Sequence, residues 1–286
     1  MSGDLHCHTK LSDGSLGIDD LIVLAKKQGI KTIAITDHDC LAGTVRGKLI
    51  GDRHGVKVIP GVELSCTDKD SNSKVHIIGY LSDSPDRLEG LCRRNLLASK
   101  RASQYMMLKV AQLYPISPEL VLKCAAGSTC VYEQHIMHAL FESGVSEGIY
   151  DEVYDRLFTK ESPDNIIVEA KYPEPEDVIA AIHEAGGIAV MSQPSIYEDN
   201  YEMLDGLIKK GLDGIEVWHS SNSESQREVL LKKAKENGLV TTGGSDFHGM
   251  YNRGKVPLGS EVTPAAQLTS LLSYKMRKRK QAKKAE

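Results

Sequence analysis

No single sign of charge dominates this chain of 286 residues, whose formal net charge is −4. That balance argues against general nucleic-acid binding by charge alone, while a locally built basic groove could still take an anionic substrate. No apolar run approaches the roughly twenty residues needed to span a bilayer; Leu21 to Ala25 is among the longest. The six cysteines include no C-x-x-C and no zinc-ribbon spacing, so they read as reduced, mostly buried thiols. The N-terminus shows neither a basic start followed by an apolar core nor a cleavage site, and the expectation is a cytoplasmic protein with no membrane partner and no stable nucleic-acid partner. With 41% hydrophobic and 26% charged residues, there is material for one large α/β domain, or one domain plus an insertion.

What is present concentrates at the start, in the run from Asp4 to Gly14, DLHCHTKLSDG. On a β-strand alternate side chains share a face, so the imidazoles of His6 and His8 point one way and Cys7 the other. Two histidines so placed can close on one metal ion, with Asp13 following on a polar loop. Two surface histidines near a terminus would be the bland alternative.

Further along, Ile18, Leu21, Ile22 and Ala25 recur at helical spacing up to Gly29. The run Lys31 to Thr36 has strand character and stops at Asp37, His38 and Asp39. A strand over Val56 to Ile59 leads through Pro60 and Gly61 to Glu63, and another over Val75 to Tyr80 carries His76. From about Ser84 to Asn165 strand runs vanish in favour of helical patterns over Leu88 to Leu113, Glu119 to Ala126 and Glu133 to Glu142, which reads as an inserted helical cap. Barrel segments are thus expected over 1–83 and 166–286, with the insertion over 84–165. The second segment offers a helix from Pro175 to Ala185, a strand from Ile188 to Met191 ending at Gln193, and a helix near Met203 to Lys210. A strand over Gly214 to Trp218, a helix from Glu224 to Asn237 and a strand over Leu239 to Thr242 follow. Seven strand candidates separated mostly by helices predict a mainly parallel α/β structure, and polar residues at successive strand ends favour a barrel. The basic run Lys275 to Lys284 reads as a solvated helix end or tail.

The ordered motifs DLHCHTKLSDG, TDHD (36–39), GVE (61–63), GGIAVMSQP (186–194), GIEV (214–217) and GSDFHG (244–249) resemble the PHP (polymerase and histidinol phosphatase) superfamily. Within it, the chain is similar to stand-alone phosphoesterases acting on AMP or nucleoside 3′,5′-bisphosphates. The resemblance implies a distorted (β/α)7 barrel with a helical insertion, holding two to three divalent ions: manganese, iron or zinc, with magnesium a further candidate. It implies that His6, His8, Glu63 and Asp246 hold one ion and Asp13, His38 and His248 another. Glu63, His76 and the residue before Pro194 would hold the remaining one. Relatives carry histidine at that last place; Gln193 stands here, and a neutral amide is a weaker ligand for transition metals.

Such ions can activate water and neutralise charge on a phosphoryl group, so no serine or cysteine nucleophile is needed. Asp37 is expected either to orient an imidazole or to cap its loop. Glu216 and His219, at another strand end, are candidates for the pocket wall or for proton transfer to the leaving group. Arg101, Arg94 and Arg93 on the first cap helix, together with His135, are candidates for gripping a small phosphorylated substrate of nucleotide type. Glu133 occupies a position where relatives carry arginine, which disfavours a highly anionic substrate. Two other readings compete with a phosphomonoesterase. One is an amidohydrolase-type enzyme, which would want a bridging lysine at a strand end; the other is a non-catalytic nucleotide- or metal-binding protein.

Overall fold

The computed structural model describes residues 1–197 and 201–285, with side chains described as far as Met276. Six strands form one sheet in sequence order: β1 (Thr32–Ile35), β2 (Lys57–Thr67), β3 (Lys74–Tyr80), β4 (Ile188–Met191), β5 (Gly214–Trp218) and β6 (Val240–Gly243). Four of them, β1, β4, β5 and β6, are only four or five residues long. β1, β4 and β6 are buried throughout, the pattern expected of strands covered on both faces.

Two differences from the sequence expectation stand out. First, β3 runs against both neighbours: β1–β2, β4–β5 and β5–β6 pair in parallel, whereas β2–β3 and β3–β4 are antiparallel. Apolar alternation carries no information about strand direction, and the short connection 68–73 between β2 and β3 is what permits a hairpin. Second, the segment bearing His6 and His8 is not a regular strand. Asp4 bridges to Ile33 and Cys7 to Phe247, both in parallel sense. The Leu5 N–H donates to Gly243 O, while the Ala34 N–H donates to Asp4 O. The segment therefore lies between β1 and the chain that leaves β6, hydrogen-bonded to each.

Helices α1 (Ile18–Lys27), α2 (Ala42–His54), α7 (Pro175–Glu184), α8 (Glu202–Lys209), α9 (Glu224–Asn237) and α10 (Ala265–Ala285) accompany the sheet. In α1 the buried residues are Ile18, Leu21, Ile22 and Ala25, as their spacing predicts. The basic run from Lys275 falls within α10, but its side chains beyond Met276 lie outside those described.

Between β3 and β4 the described chain is helical and irregular: α3 (Glu89–Leu113), α4 (Pro118–Cys124), α5 (Glu133–Glu142) and α6 (Glu152–Phe158). These helices enclose an apolar core of their own, with Val110, Ile136, Leu140 and Leu157 inaccessible to solvent. A buried tie joins α3 to the sheet: the Asn95 amide donates to Asp39 Oδ1 at 2.7 Å and to Ser65 O at 2.8 Å. No helix among the described residues is long and apolar enough to cross a membrane.

Candidate metal centre

One rim of the sheet gathers the ionisable residues. β1 runs out into Asp37, His38 and Asp39, β4 into Gln193, β5 into His219, and β6 into Asp246 and His248, while antiparallel β3 brings His76 to the same rim from its N-terminal half. Glu63 lies within the long strand β2, bridged to His38, not at a strand end. Asp39, Gln193 and Asp246 all have positive φ (48°, 46° and 54°). A left-handed backbone is costly for non-glycine residues and persists where surrounding structure enforces it. Here it turns a carboxylate or an amide inward at three strand ends.

The ring nitrogens are oriented by hydrogen bonds from behind. His6 Nδ1 lies 2.8 Å from Glu216 Oε1, which fixes Nδ1 as the donor and leaves Nε2 facing inward. Ser12 Oγ donates to Asp37 Oδ1 at 2.7 Å, so it can only accept from His8 Nδ1, 3.4 Å away. His8 Nε2 is thereby also left facing inward. The two Nε2 atoms stand 3.1 Å apart. Glu63 Oε2 is 3.1 Å from that of His6 and 3.2 Å from that of His8, and Asp246 Oδ1 is 3.3 Å from both. Each carboxylate oxygen thus closes a triangle with the two Nε2 atoms whose sides are near the separation of two ligands on one cation held at about 2.0–2.1 Å.

Two further groupings adjoin this one. His8, Asp13, His38 and His248 converge, with Asp13 Oδ2 at 3.2 Å from His248 Nε2 and 3.6 Å from His38 Nε2. Glu63 also approaches His76 and His38, each through Nδ1 at 3.4 Å. Asp13 Oδ1, Glu63 Oε1, His38 Nδ1 and His76 Nε2 are buried without a hydrogen-bond partner. Buried polar atoms are rarely left so, and bound cations are a recognised reason. The donor set fits zinc, iron or manganese.

Electrostatics agree with a site built for positive charge. Burial works against the charge of Glu63, Asp13 and Asp246, yet the surrounding imidazoles hold all three well below the ordinary carboxylate range. Burial likewise opposes protonation of His8, but Asp13, Asp246 and Glu63 push it up to about 10. His6 is raised in the same way, chiefly by Glu216. For His38 burial prevails and brings it down to about 4.

The other expected site residues are placed as follows. Asp37 takes hydrogen bonds from the Thr9 N–H, the Thr9 hydroxyl and the Ser12 hydroxyl, so it pins the loop and reaches His8 only through Ser12. Glu216 is fully buried beneath His6, which removes it from any pocket wall. His219 Nδ1 engages Ser221 Oγ at 2.7 Å, and its Nε2 is 3.6 Å from Asp246. The Gln193 side-chain amide donates to Asp246 Oδ2 at 2.9 Å, and its backbone N–H to Glu216. His135 is buried, and its Nδ1 accepts the Tyr132 N–H at 3.1 Å. Arg94 and Arg101 are exposed on α3, as is Arg93. The sequence reading missed Lys74, which shares a strand face with His76 by two-residue alternation, and Tyr132, whose ring stacks on His38 at 5.9 Å. Alternation could have flagged Lys74; no local pattern marks Tyr132.

Fold and rim together define a hydrolase of α/β architecture with a preformed metal centre. The chain belongs to the PHP domain family, whose model matches residues 4–209, and is a metal-dependent phosphoesterase. It is 32% identical to a phosphoribosyl 1,2-cyclic phosphate 1,2-diphosphodiesterase of Eggerthella lenta, over 88% of this chain and 96% of that one. It is also 30% identical to a 5′-3′ exoribonuclease of Haemophilus influenzae, over 91% and 93%. A crystal structure of a protein assigned as a metal-dependent phosphoesterase from Bifidobacterium adolescentis superposes with a TM-score of 0.85 at 30% identity, covering 94% of this chain and 95% of that one.

Proposed function

We propose that the protein hydrolyses a phosphomonoester of a small nucleotide-like substrate, of the AMP or nucleoside 3′,5′-bisphosphate type. The observation that carries this reading is the convergence of His6, His8, Glu63 and Asp246 at 3.1–3.3 Å beside two further imidazole and carboxylate groupings. The two relatives, named as a phosphoribosyl cyclic-phosphate diphosphodiesterase and an exoribonuclease, support a ribose-bearing phosphate ester as substrate; the monoester is our own reading. We assign His6, His8, Glu63 and Asp246 to one divalent ion, Asp13, His38 and His248 to a second, and Glu63 with His76 to a weaker third. Gln193, engaged with Asp246, is at best a poor ligand there. Bound ions would supply a water of lowered pKa and positive charge opposite the phosphoryl oxygens.

The chain's own residues do the rest. Glu216 and the Asp37–Ser12 pair keep His6 and His8 in the tautomer whose lone pair faces the ions. His219, beside Asp246, is the group assigned to protonate the leaving oxygen. We read the Gly3–His8 segment, bonded on both sides, as the seventh strand that closes a distorted (β/α)7 barrel, and α3–α6 as a cap over 84–165. The six cysteines, all unpaired, support placement in the cytoplasm. The test is phosphate release from AMP, adenosine 3′,5′-bisphosphate and p-nitrophenyl phosphate by protein stripped with chelator and reloaded with manganese, iron or zinc. Release restored by metal is the expected result; release only from a cyclic diester or an RNA 5′ end would reject the monoester assignment.

A further inference from the structure

A cavity of about 350 Å³ opens beside the metal centre, between the start of β3, α3 and the chain at 130–133 and 167–172. That size suits a small ligand. Tyr132 connects the two, since it lines the cavity and stacks on His38. Lys74 stands on the face of β3 that carries His76, with its Nζ 5.6 Å from the centre of the Tyr172 ring. Glu133 is the cavity's unusual member. It is a half-buried carboxylate whose Oε2 takes the Tyr154 hydroxyl at 3.0 Å, leaving Oε1 for a ligand. Lys160, by contrast, is committed to Glu169 at 2.9 Å. A second cavity of about 300 Å³ is lined by His135 and His138 of α5, and both of these imidazoles are engaged. His135 accepts the Tyr132 N–H, and His138 Nδ1 meets the Tyr251 hydroxyl at 2.8 Å.

We propose that Glu133 and Lys74 make this cavity a specificity site for the part of the substrate beyond the scissile phosphate, selecting a ribose or ribonucleoside with free hydroxyls and rejecting one that carries a second phosphate. This rests on the phosphoesterase reading above and narrows it. A carboxylate oxygen accepts from a sugar hydroxyl and repels a phosphate, and in a partly desolvated pocket both effects strengthen. Lys74, on the same cavity wall, partly offsets Glu133, so its removal leaves the repulsion of a second phosphate unopposed. Tyr132 and Tyr172 offer ring surface to a base or sugar.

The two charges make opposite predictions, which a merely structural role would not. Wild type should favour AMP over adenosine 3′,5′-bisphosphate in kcat/KM by at least tenfold. Glu133→Gln should lower that ratio at least tenfold, mainly through KM, and Lys74→Met should raise it. Ratios that stay fixed, or that move in the same direction in both variants, overturn the proposal, and either variant that melts cooperatively decides alone. If wild type releases phosphate from neither nucleotide nor from p-nitrophenyl phosphate with any metal, the phosphoesterase reading fails on its own. The same ratio is then read as dissociation constants of the two nucleotides by titration calorimetry, with the same expected directions.

Discussion

At the scale of single residues, the candidate centre is a set of imidazoles and carboxylates oriented by buried neighbours such as Glu216 and the Asp37–Ser12 pair. The carboxylates around His6 and His8 raise the pKa of both imidazoles against the effect of burial, His8 up to about 10. A histidine whose folded pKa lies above its unfolded value of about 6.5 stabilises the metal-free fold below that value and loses the contribution as pH rises through the folded pKa. A bound ion must displace the protons on these imidazoles, so affinity should climb with pH across 6 to 9, about tenfold per unit for each proton displaced. Titration calorimetry of zinc or manganese in buffers of different ionisation heat would measure both slope and proton release; a flat profile would mean the imidazoles are already neutral. His6, His8 and Asp13 were legible because the H-x-H alternation and the following loop are local. The buried role of Glu216 was not, since it depends on a partner 210 residues distant; for Asp37 the loop-capping alternative matches the bonds it takes from Thr9 and Ser12.

At the scale of elements, close approach sets the tolerances. The Gly3–His8 segment passes so near the end of β6 that a Cβ on Gly244 would sit 2.3 Å from His6 N and 2.5 Å from His6 Cβ. Gly244→Ala should therefore cost about 1–3 kcal/mol and reduce bound metal as well, because the atoms it displaces are those of a ligand. Gly238, at the end of α9 with φ 65° and open space where a Cβ would stand, no atom lying within 4 Å of it, is the comparison: Gly238→Ala should cost roughly 1–2 kcal/mol through backbone strain with metal content unchanged. Melting curves and elemental analysis on both variants separate the effects, and equal metal loss in the two would contradict the packing explanation. Most helices and strands were legible from periodicity. Strand direction was not, and neither was the placement of Glu63 inside β2, where Pro60 and Gly61 look like a break. Pro60 is tolerated because its pairing with Ile35 is the last of the β1–β2 register.

At the scale of the whole molecule, the rim of the sheet carries the candidate metal ligands, and the helices between β3 and β4 enclose a core of their own. Ile136→Ala, in that core, should destabilise the protein by about 2–5 kcal/mol. Because Tyr132 and Glu133 begin the same helix, KM should rise while bound metal stays constant; loss of metal in step with KM would show that the two parts do not separate. The sequence made this division visible as a change of pattern near Ser84, and Arg94 and Arg101, its candidates for substrate contact, are exposed on α3. A helix face cannot be assigned from spacing alone when cations occur on several sides of it. The most direct test of the metal-dependent centre is elemental analysis of wild type, Glu63→Ala and Asp246→Ala after identical dialysis, each with phosphate release recorded on the same sample. Expected are two tightly held ions in wild type, with a third present only weakly, and loss of both metal and hydrolysis in each variant. Unchanged metal content in both variants would contradict the assignment of the centre.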